Sequence, residues 1–319
     1  MSQPLRVGVV GAGAFGQNHA RVYSTLEGVK LTGVADVNFD RAREIAALYH
    51  AEAFDNPAAL LGRVDAVSVA VPTVKHLEAA EPFLRAGVHA LVEKPIAPSV
   101  EDAQKLIDAA RAGGAVLAVG HLERFNPAVE YVLDTVRHPV FVEVHRLSGF
   151  PDRSLDVDVL LDLMVHDLDI LLALTGSPVT GLHAVGVPVL TPRVDIASVR
   201  LDFASGCVAN LTASRISAET LRKFRVFEPH RYVGVDYRQQ SVDEFRLASA
   251  PGEARPRILP CRPEIRHEEP LHRELAHFAG CARSGKRPRV NGEAGLAALD
   301  LALRVRAEID RRLGSFPKA

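Results

Sequence analysis

Between positions 5 and 120 the chain alternates short apolar runs with stretches of helix length. The runs are Val7–Val10, Val29–Ala35, Ala66–Val71, Val88–Val92 and Val116–Val119. They are rich in valine and alanine and carry no polar residue at every second position. Strands buried on both faces, in a parallel sheet covered by helices, have this composition. The stretches between them lie near Ala14–Leu26, Arg41–Tyr49, His76–Ala86 and Val100–Ala112. The last has Ser99 placed to cap its start and Gly113-Gly114 to end it. The alternation predicts a doubly wound α/β domain over residues 1–120.

The pattern changes after Gly120. Longer strand-like runs occur at Val140–Leu147, Ala197–Phe203, Cys207–Ala213 and Phe224–Phe227, with one strong helix near Asp158–Leu174. Helical stretches near Leu271–Arg283 and Glu293–Arg312 close the chain. Strands grouped with few helices predict a second, α+β domain over 121–319, whose C-terminal helices can pack back on the first. The segment Ala248–Pro263, with four prolines, reads as a loop. A length of 319 residues suits two cores better than one. The net charge of −1 supplies no general attraction to nucleic acid or membrane, and no apolar run is long enough for a membrane helix. Cys207, Cys261 and Cys281 are too scattered for a disulfide framework or a zinc site, and no signal-peptide layout opens the chain. These features predict a cytoplasmic protein that holds no metal.

The first strand runs into Gly11-Ala12-Gly13-Ala14-Phe15-Gly16, a G-x-G-x-x-G turn. Gly11 permits the tight turn, Gly13 lets backbone approach a pyrophosphate, and Gly16 lets helix and strand pack closely. The pyrophosphate then meets the N–H groups of a helix N-terminus. Asp36 follows Gly16 by 20 residues, at the end of the second strand. A carboxylate there accepts the ribose hydroxyls of NAD and repels the 2′-phosphate of NADP; Arg41 and Arg43 lie near enough to soften that choice. Two more strand ends border the same cofactor, Val71-Pro72-Thr73 with His76, and Glu93-Lys94-Pro95.

Two places carry candidate chemistry. Lys94, at a strand end, can hydrogen-bond a substrate hydroxyl and stabilise negative charge as its proton leaves; position alone serves a solvated lysine equally well. On the helix near Asp158–Leu174, Asp158, Asp162, His166 and Asp169 recur at spacings of four, four and three. At about 100° per residue they form one polar stripe on an otherwise apolar helix. His166 can serve there as a base near neutral pH, or can be a satisfied histidine on a partly exposed helix. Farther on, Arg215, Arg222, Lys223 and Arg225 gather four cations, either an anion site for a substrate diphosphate or a solvated strand face.

The glycine turn, Asp36, Pro72 with His76, Glu93-Lys94-Pro95, Gly120 followed by Arg124-Phe125-Asn126-Pro127, and Asp162-x-x-x-His166 together resemble the glucose–fructose oxidoreductase/inositol dehydrogenase (Gfo/Idh/MocA) family over essentially the whole chain. The resemblance implies a Rossmann domain and a second domain with an open, largely antiparallel sheet through which homodimers or homotetramers form. It implies an NAD-dependent dehydrogenase in which Lys94 positions the reacting hydroxyl, His166 is the general base and Asp162 belongs to the same constellation. Arg124 would border cofactor and substrate. The substrate class is a sugar, cyclitol or sugar nucleotide. Many members carry glycines ahead of Asp-x-x-x-His, where this chain has Asp158-Val159. The basic stretch to Phe227, followed by Tyr232–Tyr237, is similar to members that oxidise the 3-hydroxyl of UDP-N-acetylglucosamine-type substrates. Relatives that are NAD-dependent glycosidases, and a non-catalytic NAD-binding regulator, are the alternatives.

Overall fold

The computed structural model describes residues 3–150, 158–248 and 257–314. Two compact units account for them: residues 1–125 with 269–299, and residues 126–268 with 300–319.

In the first unit the elements run β1 (Leu5–Val10), α1 (Ala14–Thr25), β2 (Val29–Ala35), α2 (Phe39–Leu48), β3 (Glu52–Phe54), β4 (Ala66–Val69), α3 (His76–Arg85), β5 (His89–Glu93), α4 (Val100–Gly113) and β6 (Leu117–Gly120). Six parallel strands take the order β3-β2-β1-β4-β5-β6. The order reverses between β1 and β4, the place where such sheets open to a ligand at their carboxyl ends. The valine and alanine runs are mostly buried, β4 and β6 throughout, as strands covered on both faces must be. The Ser99 hydroxyl accepts the Asp102 N–H at 3.1 Å, and Gly114 ends α4 in the left-handed region at φ 64°.

The second unit opens with α5 (Pro127–Thr135) and β7 (Phe141–Leu147). A π-helical turn (Leu160–Met164) leads into α6 (Val165–Thr175). The strands β8 (Val179–Val187), β9 (Ile196–Phe203), β10 (Val208–Ser214), β11 (Leu221–Glu228), β12 (Arg231–Asp236), β13 (Ser241–Ala248) and β14 (Arg257–Cys261) follow. They form, with β7, a sheet of order β14-β13-β12-β11-β7-β10-β9-β8. Every neighbouring pair is antiparallel except β7 with β10. One face is apolar and buried, through Val142, Val144, Leu211, Ala213, Phe224 and Val226. Helix α7 (Pro270–Ser284) returns to the first unit, where Leu275, Phe278 and Ala279 join the core of Val7, Tyr23 and Leu31. Helix α8 (Gly292–Leu313) starts among residues of the first unit and ends among those of the second.

Two expectations need correction. The stretch Ala248–Pro263 is not wholly a loop: Arg257–Cys261 is strand β14, with Pro260 opposite Phe245, and residues 249–256 lie outside the described set. Proline reads as a strand breaker, but β14 is the edge of its sheet, where a missing N–H costs no ladder bond. The helix near Asp158–Leu174 is also not one regular α-helix. Its first turn is π-helical, so the even stripe from Asp158 to Asp169 is interrupted ahead of His166.

Candidate active site

The turn between β1 and α1 shows why each glycine is there. Gly11 sits at φ 98°, and a Cβ on it would lie 2.6 Å from the Ala70 carbonyl oxygen. A Cβ on Gly16 would lie 1.8 Å from the Gly11 oxygen, so only glycine lets α1 close on the turn. At Gly13 a Cβ would meet no protein atom within 4 Å. Gly13 is therefore not a packing glycine, and the open space beside it is what a pyrophosphate at the head of α1 needs. Ala14 and Phe15 are exposed there. A cleft of about 610 Å³ adjoins the turn, lined by Gly11, Gly13, Asp36, Val71 and Pro72 among others.

Asp36 braces the same turn. Its carboxylate accepts the Ala12 N–H at 2.6 Å and the Asn38 N–H at 2.8 Å. Its remaining lone pairs face the need of a ribose diol. Arg41 does not offer a charge to a 2′-phosphate. Its guanidinium donates to the Ala12 carbonyl at 3.1 Å, to Gln17 Oε1 at 2.7 Å and to Glu44 Oε2 at 2.6 Å. Arg43 pairs with Asp40 at 3.3 Å and lies over the Phe39 ring. The residues present fit NAD.

Lys94 directly follows β5, half-buried, across a cis peptide from Pro95. The groups around it come from three elements. Glu93 is buried with its carboxylate 3.0 Å from Nε2 of His19 on α1, itself fully buried. Burial alone would raise the Glu93 carboxyl; the His19 ring and the nearby Lys94 charge hold it below its usual range. Gly120 on β6 makes room for it, because a Cβ there would lie 2.8 Å from Glu93 Oε1. Thr73 and Val71 stay at the rim of the strand ends, but His76 does not present its ring there. The ring is buried, with Nδ1 3.0 Å from the Pro95 carbonyl oxygen and Nε2 3.0 Å from that of Val71. Burial pushes its pKa down. The ring of His76 is turned to the backbone of the two strand ends that carry Val71 and Lys94, and in its neutral form it donates to one of those carbonyl oxygens. Arg124 is buried in the turn Leu122–Phe125 after β6, where its carbonyl accepts from Arg289 at 3.2 Å.

In the second unit, Asp162 lies half-buried in the π-helical turn and His166 is buried at the start of α6. Asp158 is drawn away from this pair. It accepts the Leu161 N–H at 3.0 Å and is ion-paired with Arg306. The four cations expected as an anion site do not converge. Arg215 is 1% exposed and is held by Asp195 at 2.9 Å and by Thr191 at 2.9 Å. On β11 the side chains alternate, so Arg222 shares the face of buried Phe224 while Lys223 and Arg225 point to the other. Those two already pair across strands, with Asp236 and Glu143, each at 2.8 Å.

His19 was not among the residues expected at the site, and Gly120 was named only as a family mark, without its role beside Glu93. His19 had a signal: with Gly16, Ala20 and Tyr23 it marks the buried face of α1, where an unpaired histidine would be costly.

Comparisons with known proteins agree with this geometry. Residues 5–121 match the model of an oxidoreductase family with an NAD-binding Rossmann fold, and residues 100–228 match the GFO/IDH/MocA C-terminal domain. The chain is similar to UDP-N-acetylglucosamine 3-dehydrogenase of Acidithiobacillus ferrooxidans, 37% identical over 96% of this chain and 97% of that one. A solved structure of that enzyme superposes with a TM-score of 0.90 over 97% of this chain and 98% of that one, at 36% identity. It is also similar to scyllo-inositol 2-dehydrogenase (NAD(+)) of Bacillus subtilis, 28% identical over 93% of this chain and 94% of that one.

Proposed function

The chain belongs to the GFO/IDH/MocA family of NAD-dependent oxidoreductases, and from that membership we propose that it oxidises the 3-hydroxyl of UDP-N-acetylglucosamine or a closely similar UDP-sugar. One observation carries the choice of substrate. Identity of 37% to a relative with that activity extends over 96% of the chain, so the likeness covers both units and not the cofactor domain alone.

Bound NAD supplies the hydride acceptor. His166 takes the hydroxyl proton on a ring nitrogen as the C–H bond breaks, leaving a ketone. The Lys94 ammonium donates to the reacting oxygen and stabilises the charge that grows on it. Asp162, four residues before His166, orients the hydroxyl or the imidazole. Glu93 precedes Lys94 in the chain, and its buried carboxylate is held 3.0 Å from the His19 ring.

The test is formation of NADH, read at 340 nm, with UDP-N-acetylglucosamine, free N-acetylglucosamine and inositols as substrates. Turnover with the UDP-sugar is expected. Turnover confined to inositols would replace this reading with a cyclitol dehydrogenase, the activity of the 28% identical relative. His166→Ala and Lys94→Ala should each lower kcat by about 10²–10³ while NADH still binds. Near-full turnover in either variant removes that residue from the mechanism.

A further inference from the structure

His166 is followed by Asp167, which is 1% exposed and lies on the sheet side of α6. Arg146 of β7 donates to it twice, Nε to Oδ2 at 2.7 Å and Nη2 to Oδ1 at 2.8 Å. The Tyr237 hydroxyl donates to the same Oδ1 at 2.9 Å. The Arg146 guanidinium carbon stands 4.8 Å from the centre of the Tyr237 ring, and Phe224 meets that ring edge-on at 6.3 Å. Tyr237 is tied in turn: its carbonyl accepts from Asn126 Nδ2 at 3.0 Å, and Asn126 Oδ1 caps α5 through the Ala128 N–H at 3.1 Å. Arg146, Tyr237 and Asn126 are each at most 4% exposed.

We infer that Arg146, Asp167 and Tyr237 are a positioning unit for the reaction: they fix the rotation of α6 and so the direction in which His166 points. The inference rests on the reading of His166 as the base. None of the three reaches the surface, so none touches substrate; they act through the helix.

Three observations support this. The turn before α6 is π-helical, so the helix enters without a regular α register to set its rotation. Most of the rest of its buried surface is apolar, Val165, Leu168, Ile170 and Leu171, whose packing is non-directional, with Asp169 the other buried carboxylate. A bidentate guanidinium–carboxylate pair is directional, and a buried one adds little stability over an apolar replacement. What it adds is orientation. A side-chain tip lies roughly 5–6 Å from a helix axis, so a rotation of about 10° displaces it by about 1 Å. A misplacement of about 1 Å costs on the order of 10²-fold in rate.

The test uses the full chain with NAD and UDP-N-acetylglucosamine. Tyr237→Phe deletes one hydrogen bond and keeps the ring. Arg146→Met/Asp167→Leu removes both charges together, which avoids leaving one buried alone. We expect kcat to fall about tenfold in the first and about 100-fold in the second. KM and NADH affinity should stay within about twofold and Tm within a few degrees, a split that a purely structural role does not give. A crystal structure of Tyr237→Phe should show the His166 ring displaced. Wild-type kcat in both variants, or an undisplaced ring, overturns the proposal. His166→Ala is measured beside them. If it is inactive while both of the other variants are fully active, only the positioning role fails; if it is active, the base assignment itself fails.

Discussion

Asp36 does two jobs with one carboxylate. It ties Ala12 of the glycine turn to Asn38 at the head of α2, and we propose that it also excludes a phosphate from the ribose. Arg41, which by position alone looks able to counter it, is spent on the turn and on Glu44. Asp36→Asn should therefore weaken NADH binding roughly tenfold, the scale of a lost charge-assisted hydrogen bond. It should improve NADPH binding only modestly, since Arg41 and Arg43 are already paired. Fluorescence titration with both cofactors checks this; an unchanged ratio of affinities would show that Asp36 does not choose between them.

Glycines of the β1–α1 turn act at the next scale, because two of them fail in different ways. Gly13→Ala meets no protein atom, so stability should change by no more than about 0.5–1 kcal/mol. NADH affinity should still drop at least about tenfold, because the methyl takes the space a pyrophosphate needs. Gly16→Ala drives a Cβ into the Gly11 oxygen and should lower Tm as well. Thermal melts with and without NADH separate the two, and equal melts of the two variants would contradict the assignment. The turn, Asp36 and Lys94 were legible because each rests on local spacing beside a strand end. Five of the six strands of the first unit were legible because burial on both faces leaves an unmistakable apolar run; β3, three residues long with one of them buried, was not. Partner choice was not legible. Nothing local tells that Arg215 belongs to Asp195, or that Glu93 belongs to His19 on another element. Strands β8, β12 and β13 escaped notice for a related reason: one face of each is polar or half-exposed, and alternation over so few residues resembles a loop. The π-helical turn has no compositional mark at all.

For the molecule as a whole, acid stability has an identifiable weak point in the second unit. Burial would raise the Glu244 carboxyl, but hydrogen bonds from Arg231, Arg246 and Tyr131 hold it at about 2. A carboxyl depressed in the folded state stabilises fully above its unfolded pKa of about 4.5, and that contribution is lost as pH falls toward about 2. Circular dichroism should show stability falling across that window, and Glu244→Gln should flatten the fall; an identical acid profile in the variant would acquit Glu244. No described helix is long and apolar enough to cross a membrane. The first unit is discontinuous in sequence. Its core takes Leu275 and Phe278 from α7, and its sixth strand pairs at Ala118 with Asn291, through a main-chain bond from Val119 to Val290. During synthesis, then, the nucleotide-binding unit cannot be finished when its strands emerge from the ribosome. It waits with part of its apolar core uncovered until residues 126–268 and then α7 have been translated, an interval in which a chaperone has something to hold.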